Sequence, residues 1–403
     1  MSAPATLFAS AIGAAAVTHT DSGPLQGRHM PVVTPGNVAE CVEVVRIAAR
    51  ERIALYVRGG GSEPRTAKHE GPAALLCTTR LDQVIDHARD DLTFTAEAGL
   101  GLTAAQALLR THGQRLPLSS RHAASTLGGI LTRDAEGWTR KSCGMVRDQI
   151  LGCTVVLGDG RVITEGSRLV KNVSGYNLTR LFGGARAAFG VVLSLTVRLK
   201  AQPQARRVSW HGAANPAAAF ALAAQMHASI ADAEVVRVRI EHSTTGQKCA
   251  VVLSLAGAKA RVDEACAQAD KLAGAPMLLP AAALQEGGTP QCVIEVRPAD
   301  TSAATQALLA QAHCGSIDAD IATGTVELLA PSAPTWTTAA LQTLDSSLRG
   351  LEALVTFPAN PDAANLQRNC CATPNPQVHS LLRGMAQRFD PSGVLEPGMH
   401  SWK

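Results

Sequence analysis

The sequence lacks several features that would assign a function at once. No run of apolar residues approaches the ~20 that are needed to cross a bilayer, so we expect no transmembrane segment. No two cysteines have the Cys-x-x-Cys spacing of common zinc and iron–sulfur sites, and we expect no metal site. The net charge is only +4 and the positive charges are dispersed, which argues against nucleic-acid binding.

The composition that is present indicates a globular protein of two domains. Apolar residues make up 46% and charged residues 17% of the chain, which excludes a disordered protein. A length of 403 residues exceeds what one hydrophobic core usually supports. The ten cysteines are scattered, mostly in apolar contexts, which suits buried thiols in a reducing compartment and predicts a cytoplasmic protein.

Changes in composition and in predicted secondary structure divide the sequence into four segments. Residues 1–27 are predicted to form an N-terminal helix over 5–17 and a lead-in, with a cleaved signal peptide as the minor alternative. Residues 28–203 form a first domain. In the alanine-rich residues 204–380 strands alternate with helices, which predicts a second domain of α+β class. Residues 381–403 start with a helix and close with a segment rich in proline and glycine.

Local patterns predict the main elements of the first domain. Apolar residues at helical spacing follow Asn37, so a helix is expected to begin there. Residues 53–57 form a strand that runs into a glycine cluster. Residues 191–199 alternate between apolar and polar, which is typical of a strand with one buried face. Two apolar strands around Gly158-Asp159-Gly160 predict a hairpin.

The glycine cluster is the first motif with chemical meaning. It consists of Arg58, Gly59, Gly60, Gly61 and Ser62, directly after a strand. Glycines let the backbone approach an anion closely and turn its N–H groups toward it. The spacing is neither the dinucleotide fingerprint Gly-x-Gly-x-x-Gly nor a P-loop. Taken alone, a plain tight turn explains it better.

Three further segments combine small and polar residues. The first is Thr126, Leu127, Gly128 and Gly129, which a turn at a sheet edge explains equally well. The second is the pair Arg147 and Asp148, which a solvated salt bridge explains. The third is a polar loop of Lys171, Asn172, Ser174, Gly175, Tyr176 and Asn177, followed later by Gly190 and Val191 at the start of a strand. A helix cap explains Asn177 but not the rest of that loop.

In this order the segments resemble the FAD-binding domain of the vanillyl-alcohol oxidase and p-cresol methylhydroxylase (PCMH) superfamily. Within it the chain most resembles the smaller FAD-binding subunit of bacterial glycolate oxidases. The resemblance covers residues 28–203 and the tail Arg388-Phe389-Asp390-Pro391-Ser392-Gly393-Val394-Leu395-Glu396-Pro397-Gly398. It implies a two-domain FAD-binding PCMH-type fold, with residues 204–380 as an α+β cap domain and residues 381–403 returning to the FAD domain.

The resemblance also implies roles for the motif residues. Arg58 to Ser62 would wrap the diphosphate of FAD, and Thr126 to Gly129 would lie along the flavin. Lys171 to Asn177 would line the other side of the flavin, Gly190 and Val191 would contact the ring or the ribityl chain, and Arg147 and Asp148 belong to the same set. Ser62 stands where relatives with a histidyl-linked flavin carry histidine, so FAD is expected to be non-covalent.

Two departures from the family pattern bear on flavin affinity. Arg133-Asp134-Ala135-Glu136-Gly137 replaces a run that is Thr-Asn-Ala-Ser-Gly in many relatives. The two carboxylates would repel a diphosphate unless Arg133 or Lys141 offsets them. Ala187 stands where relatives usually have glycine.

The resemblance implies a small 2-hydroxy acid as substrate. Its oxidation needs a base for the hydroxyl proton and a cation for the carboxylate. The histidines of the second domain are isolated, and arginines on alternating strands are more typical of a solvated face, so the sequence identifies no catalytic residue. The residues concerned are His211, His227, His242, His313, His379, Arg237, Arg239 and Arg297.

Three functions remain open. The first is a redox-active FAD subunit that works with a larger FAD-containing catalytic subunit and an iron–sulfur subunit, in the cytoplasm or at the inner face of the membrane through these partners. The second is an assembly subunit that has lost its flavin, which Asp134, Glu136 and Ala187 favour. The third is a stand-alone D-lactate-type dehydrogenase.

Overall fold

The computed structural model describes residues 3–21, 25, 28–62, 67, 69–120, 122–134, 137, 140–166, 178–243, 246–279, 290–311, 315–329, 336–357 and 376–397. They form two compact units. The first unit comprises Met1–Gly137, Cys143–Gln202 and Pro374–Lys403, and the second comprises Trp138–Ser142 and Pro203–Thr373. Helices and sheets occur in both, which confirms the α+β class.

Helices and strands are interspersed along the described residues. The helices are α1 (Ala3–Ile12), α2 (Val38–Glu51), α3 (Leu102–Arg110), α4 (Leu127–Arg133), α5 (Arg140–Cys143), α6 (Val146–Gln149), α7 (Thr179–Phe182), α8 (Pro216–Ser229), α9 (Lys259–Ala273), α10 (Thr301–Leu309), α11 (Thr338–Leu348) and α12 (Pro376–Phe389). The strands are β1 (Val17–Thr20), β2 (Met30–Val33), β3 (Ala54–Arg58), β4 (Ala73–Cys77), β5 (Val84–Ala88), β6 (Thr93–Glu97), β7 (Gln114–Arg115), β8 (Ile150–Val156), β9 (Val162–Gly166), β10 (Val191–Arg198), β11 (Lys200–Ala201), β12 (Ala205–Ala213), β13 (Ala233–Ser243), β14 (Gly246–Gly257), β15 (Met277–Leu279), β16 (Cys292–Glu295), β17 (Gly315–Asp320), β18 (Thr325–Leu329) and β19 (Leu354–Thr356).

The first unit contains two larger sheets. One has the order β1-β2-β4-β3, in which β2, β4 and β3 run parallel. The other has the order β5-β6-β10-β8-β9 and is antiparallel throughout. The β8–β9 pair is the hairpin expected around Gly158-Asp159-Gly160, and β10 has the alternating burial expected of it.

The helix expected after Asn37 is α2. The Asn37 side chain accepts a hydrogen bond from the main-chain N–H of Glu40, which satisfies one of the free donors of the first turn. The apolar face of α2 then lies in the core. The helix expected over residues 5–17 is shorter than predicted, because Gly13 has a φ of +93° and ends it; Val17 already belongs to β1.

The second unit is built on an eight-stranded sheet in the order β15-β12-β14-β13-β17-β18-β16-β19. Among the described residues, all the strand pairs in this sheet are antiparallel. One face of this sheet carries the apolar residues that form a core with α8, α9, α10 and α11.

The opposite face of the central strands is charged and buried. Arg239 binds both carboxylate oxygens of Asp318 at 2.6 Å, and Arg237 lies 3.3 Å from Asp320 and 3.2 Å from Glu327. The expectation that these arginines form a solvated face is therefore wrong: both are at most 6% exposed. Buried charges of this kind persist because they are paired.

Within the part of the chain that the structure describes, no helix is both long enough and apolar enough to cross a membrane. The same residues contain no group of three or more His, Cys, Asp or Glu that could hold a metal ion.

Candidate cofactor-binding site

The loop Arg58-Gly59-Gly60-Gly61-Ser62 emerges from the end of β3. Its first residue is held in the sheet, since the Arg58 carbonyl accepts the N–H of Thr78 at 2.9 Å. Gly61 has a φ of +70°, a conformation that favours glycine. Among the described residues, none accepts a hydrogen bond from the main-chain N–H groups of Gly59 to Ser62, and no carboxylate pairs with Arg58. The loop therefore offers several N–H donors and one cation to an anion.

The glycines of this loop are also required by close packing. A Cβ atom on Gly60 would overlap the carbonyl oxygen of Ala124, and one on Gly59 would overlap the Thr126 hydroxyl. The loop thus lies directly against residues 124–126. Two motifs that are distant in the sequence are brought together by the absence of side chains.

The segment Thr126 to Gly129 is the start of α4. The Thr126 hydroxyl caps the helix by accepting the N–H of Gly129 at 3.2 Å. The N–H of Leu127 donates to Leu100 at 2.9 Å and that of Gly128 to Ala98 at 2.8 Å. Because these donors are already used, the segment can form a wall beside a ligand but contributes few free N–H groups.

Arg147 and Asp148 form two separate ion pairs. Arg147 contacts Asp134, which is the residue at the C-terminus of α4, and Asp148 lies 2.8 Å from Arg180. The sequence suggested Arg133 or Lys141 as partners of Asp134. Instead, Arg133 donates to the carbonyl of Gly129 at 3.1 Å, and Lys141 donates to that of Ala233 at 2.6 Å in the second unit.

Gly190 and Val191 are placed by the packing of the first unit. A Cβ on Gly190 would lie 2.5 Å from a methyl carbon of Val155 and 2.9 Å from the carbonyl oxygen of Val156. The side chain of Val191 is fully buried in the core. Packing alone therefore accounts for a small residue at 190 and an apolar one at 191.

The polar loop predicted to line the flavin lies outside the described residues. This applies to Lys171, Asn172, Ser174, Gly175, Tyr176 and Asn177, and also to Ala135 and Glu136. Of the predicted site, the structure thus brings together the Arg58–Ser62 loop and the Thr126–Gly129 segment.

The turn before β10 carries backbone strain. Arg186 and Ala187 have φ values of +48° and +62°. The turn is tied to α4 by the N–H of Arg186, which donates to the carbonyl of Thr132 at 2.7 Å. Since left-handed conformations cost non-glycine residues energy, the structure explains why glycine suits position 187.

The start of α4 also contacts a segment, Ala98-Gly99, that the sequence motifs did not indicate. Gly99 follows β6, and a Cβ there would overlap the carbonyl oxygen of Thr78, while its N–H donates to Leu81 at 2.7 Å. Its neighbour Ala98 accepts from Gly128. The signal that could have found it is Gly99-Leu100-Gly101 directly after the alternating polar and apolar residues 93–98.

The histidines of the second unit do not form a cluster among the described residues. His211 is 1% exposed, and burial lowers its pKa, with Asp270 opposing the shift. His227 is exposed on α8. His313 and the side chain of His242 lie outside the described residues.

The residues present fit a dinucleotide cofactor. A diphosphate needs several closely spaced N–H donors and a backbone that it can approach, and the Arg58–Ser62 loop provides both beside the wall formed by α4. Residues 31–166 match the profile of the family described as "FAD binding domain". This part of the chain is therefore an FAD-binding domain, and its cofactor is FAD.

Relatives with assigned functions each match less than half of the chain. It is 30% identical to glycolate oxidase subunit GlcD of Bacillus subtilis over 45% of this chain and 40% of that protein. It is 32% identical to glycolate oxidase subunit GlcE of Escherichia coli over 30% of this chain and 35% of that protein. It is 27% identical to a D-lactate dehydrogenase of Archaeoglobus fulgidus over 44% of this chain and 40% of that protein. The match thus spans about two fifths of these relatives or less.

Solved structures extend the likeness to most of the chain. A structure of alkyldihydroxyacetonephosphate synthase superposes with a TM-score of 0.69, covers 90% of this chain and 76% of its own, and is 13% identical. At this identity the likeness concerns the fold alone. It agrees with an FAD-binding PCMH-type fold that includes the second unit.

Proposed function

We propose that this chain is the FAD-binding subunit of a glycolate-oxidase-type complex that oxidises a small 2-hydroxy acid. The observation that carries the proposal is the packing of the Arg58–Ser62 loop, with its N–H donors, against the start of α4. The relatives named glycolate oxidase subunits GlcD and GlcE support the choice of reaction class.

The described residues suggest a division of work in the site. The N–H groups of Gly59 to Ser62 and the Arg58 guanidinium would hold the diphosphate. The Thr126–Gly129 wall and the undescribed loop from Lys171 to Asn177 would flank the flavin, with Arg147, Asp148, Gly190 and Val191 supporting it. FAD, when bound without a covalent link, supplies a hydride acceptor.

The subunit role explains two features of the chain. The sequence has no cysteine motif for an iron–sulfur cluster, and the described part of the second unit shows no grouped histidines. Electrons would therefore pass to a larger FAD-containing subunit and an iron–sulfur subunit, in the cytoplasm or at the inner face of the membrane through these partners.

The two alternatives differ in their support. The argument for a flavin-free assembly subunit becomes weaker, because Arg147 neutralises Asp134, one of the carboxylates expected to repel the diphosphate. A stand-alone D-lactate-type dehydrogenase is supported by the relative of that activity in Archaeoglobus fulgidus. This second candidate would need a base and a carboxylate-binding cation within the chain.

The loop assignment is tested by replacing Gly61. At a φ of +70° a β-branched residue cannot keep the conformation, so Gly61→Val should abolish FAD binding. Gly113→Val is the matched control, since Gly113 has a φ of +66° and nothing within 4 Å of its Cβ position. Both variants should lose similar stability, and only Gly61→Val should lose the cofactor. Gly60 is unsuitable because any side chain would collide with Ala124.

The subunit role is tested with the isolated chain. Saturated with FAD and assayed without oxygen, it should not turn over glycolate or lactate with a dye acceptor, and acid precipitation should release all its flavin. In its native host it should co-purify with a larger flavoprotein and a cysteine-rich protein. Robust turnover by the isolated chain would support the stand-alone dehydrogenase instead.

A further inference from the structure

Among the described residues, one edge of β3 is not paired with another strand of its sheet. It is covered instead by residues 394–397, which we call the tail brace. β3 is the last strand in the order β1-β2-β4-β3, so β4 covers only one of its edges. On the other edge, the N–H of Leu55 donates to Val394 at 2.7 Å, and the N–H of Glu396 donates to Leu55 at 2.9 Å. This is the pattern of a parallel pair, with Leu55 opposite Leu395.

At Glu396 the hydrogen bond to β3 is made by a side chain instead of the backbone. Glu396 has a φ of +49°, and this left-handed conformation turns the chain out of the ladder. The next N–H on this edge of β3 belongs to Val57, and it donates to Oε1 of Glu396 at 2.8 Å. Glu396 is 0% exposed, so a completely buried carboxylate makes the last edge contact before Arg58.

A second side-chain hydrogen bond joins the tail brace to the same part of β3. The hydroxyl of Tyr56 donates to the carbonyl of Pro397 at 2.9 Å. Burial raises the pKa of Tyr56 above its usual range, Glu396 adds to the rise and Arg28 opposes it, so the phenol keeps the proton that it donates. Residues 55, 56 and 57 are thus all bonded to the tail brace, and the loop follows at once.

We propose that Glu396 is a positioning residue for FAD: its Oε1 fixes the N–H of Val57 and thereby the end of β3 from which the Arg58–Ser62 loop emerges. The inference rests on the proposed function of that loop. A negative charge near a diphosphate would oppose binding, so the useful property of Glu396 is the reach of its oxygen. Reach and charge can be separated by substitution.

Two variants make this separation. Glu396→Gln keeps the reach and removes the charge, so the Kd for FAD, measured by flavin fluorescence, should stay within about threefold of the parent. Glu396→Asp keeps the charge and shortens the reach, so the Kd should rise about tenfold, the scale of one lost charge-assisted hydrogen bond. The melting temperature of the FAD-free protein is measured alongside.

Glu40→Asp is the matched control. Glu40 also accepts a main-chain N–H through a carboxylate, that of Gly36 at 2.6 Å, but at the start of α2. Its replacement should lower the melting temperature and leave the Kd unchanged. A purely structural role of Glu396 would give the same result for Glu396→Asp, and that outcome would overturn the inference.

The remaining outcomes are also decisive. Tight binding by Glu396→Asp together with weak binding by Glu396→Gln would show that charge, not reach, matters. If the aspartate variant fails to fold, a tenfold loss in the near-isosteric glutamine variant would still refute the proposal, and parent-like binding with a protected Val57 amide in hydrogen exchange would support it. Parent-like binding in Gly61→Val would refute the loop assignment itself.

Discussion

Asp134 holds Arg147 through both of its carboxylate oxygens. Oδ2 lies 2.7 Å from Nη1 of Arg147, and Oδ1 accepts the main-chain N–H of the same residue at 3.2 Å. Asp134 itself ends α4 in a left-handed conformation, which aspartate tolerates better than most residues. A substitution that looks unfavourable for a diphosphate site is therefore compensated within the first unit.

The first prediction concerns the energy of this pair. A double-mutant cycle with Asp134→Asn and Arg147→Met should give a coupling of about 1 kcal/mol, because the Asp134 side chain is only 12% exposed. The neighbouring pair Asp148–Arg180 has side chains 39% and 60% exposed, and its cycle should give about 0.3 kcal/mol. Urea unfolding of the FAD-free protein measures both. Equal couplings would argue against a special role for Asp134.

The second prediction concerns the strained turn at Ala187. Replacing Ala187 with glycine relieves left-handed strain of about 1–2 kcal/mol and adds chain entropy worth about 0.5–1 kcal/mol, so the protein should gain about 0.5–1 kcal/mol and melt slightly higher. Ala185→Gly serves as the control, since Ala185 does not have a positive φ. Glycine at this position only adds chain entropy to the unfolded state, which should cost about 0.5–1 kcal/mol. Thermal melting decides, and a loss of stability in Ala187→Gly would contradict the strain argument.

The third prediction concerns acid stability and His211. Burial lowers the pKa of His211 in the folded protein, so the unfolded chain binds the proton more readily. The folded state should therefore lose stability as the pH falls below about 6.5, the ordinary value of histidine, through the lowered pKa. His211→Gln should flatten this part of the curve. Urea midpoints between pH 7.5 and 5 are compared with the parent, and parallel curves would show that His211 is not responsible.

The fourth prediction concerns the buried pair Arg239–Asp318 in the second unit. Asp318→Asn should cost about 3–5 kcal/mol, because it leaves the Arg239 charge buried without its bidentate partner. The double variant Arg239→Met with Asp318→Leu should recover most of the loss. Asp300→Asn, which breaks the exposed pair with Arg297, should cost less than about 1 kcal/mol. Circular dichroism during urea unfolding provides the comparison.

Short-range patterns predicted the elements of the fold well. The start of α2 after Asn37, the β8–β9 hairpin and the strand β10 follow from residues that interact with near neighbours, and each is confirmed. In the second domain, the expected alternation of strands with helices is seen in the order β12, α8, β13, β14 and α9. Capping and periodicity are local properties, so the sequence displays them directly.

Long-range relationships could not be predicted in the same way. Nothing near Arg237 or Arg239 in the sequence indicates Asp318, Asp320 or Glu327 as partners, because strand order brings them together. The glycines at 59 and 60 predicted close approach to an anion, yet their missing side chains also admit Ala124 and Thr126. A glycine motif shows that something lies close to the backbone, but not what it is.

The contact between β3 and the tail brace has a consequence for synthesis on the ribosome. Tyr56 and Pro397 are 341 positions apart, so at roughly 5–20 residues per second the strand waits about 20–70 s for its edge partner. During that interval a nascent edge strand is open to pairing with other chains. Synonymous codon changes that slow translation between residues 60 and 390 would lengthen this exposure, and a chaperone that shields strand edges would protect the chain most during this stage.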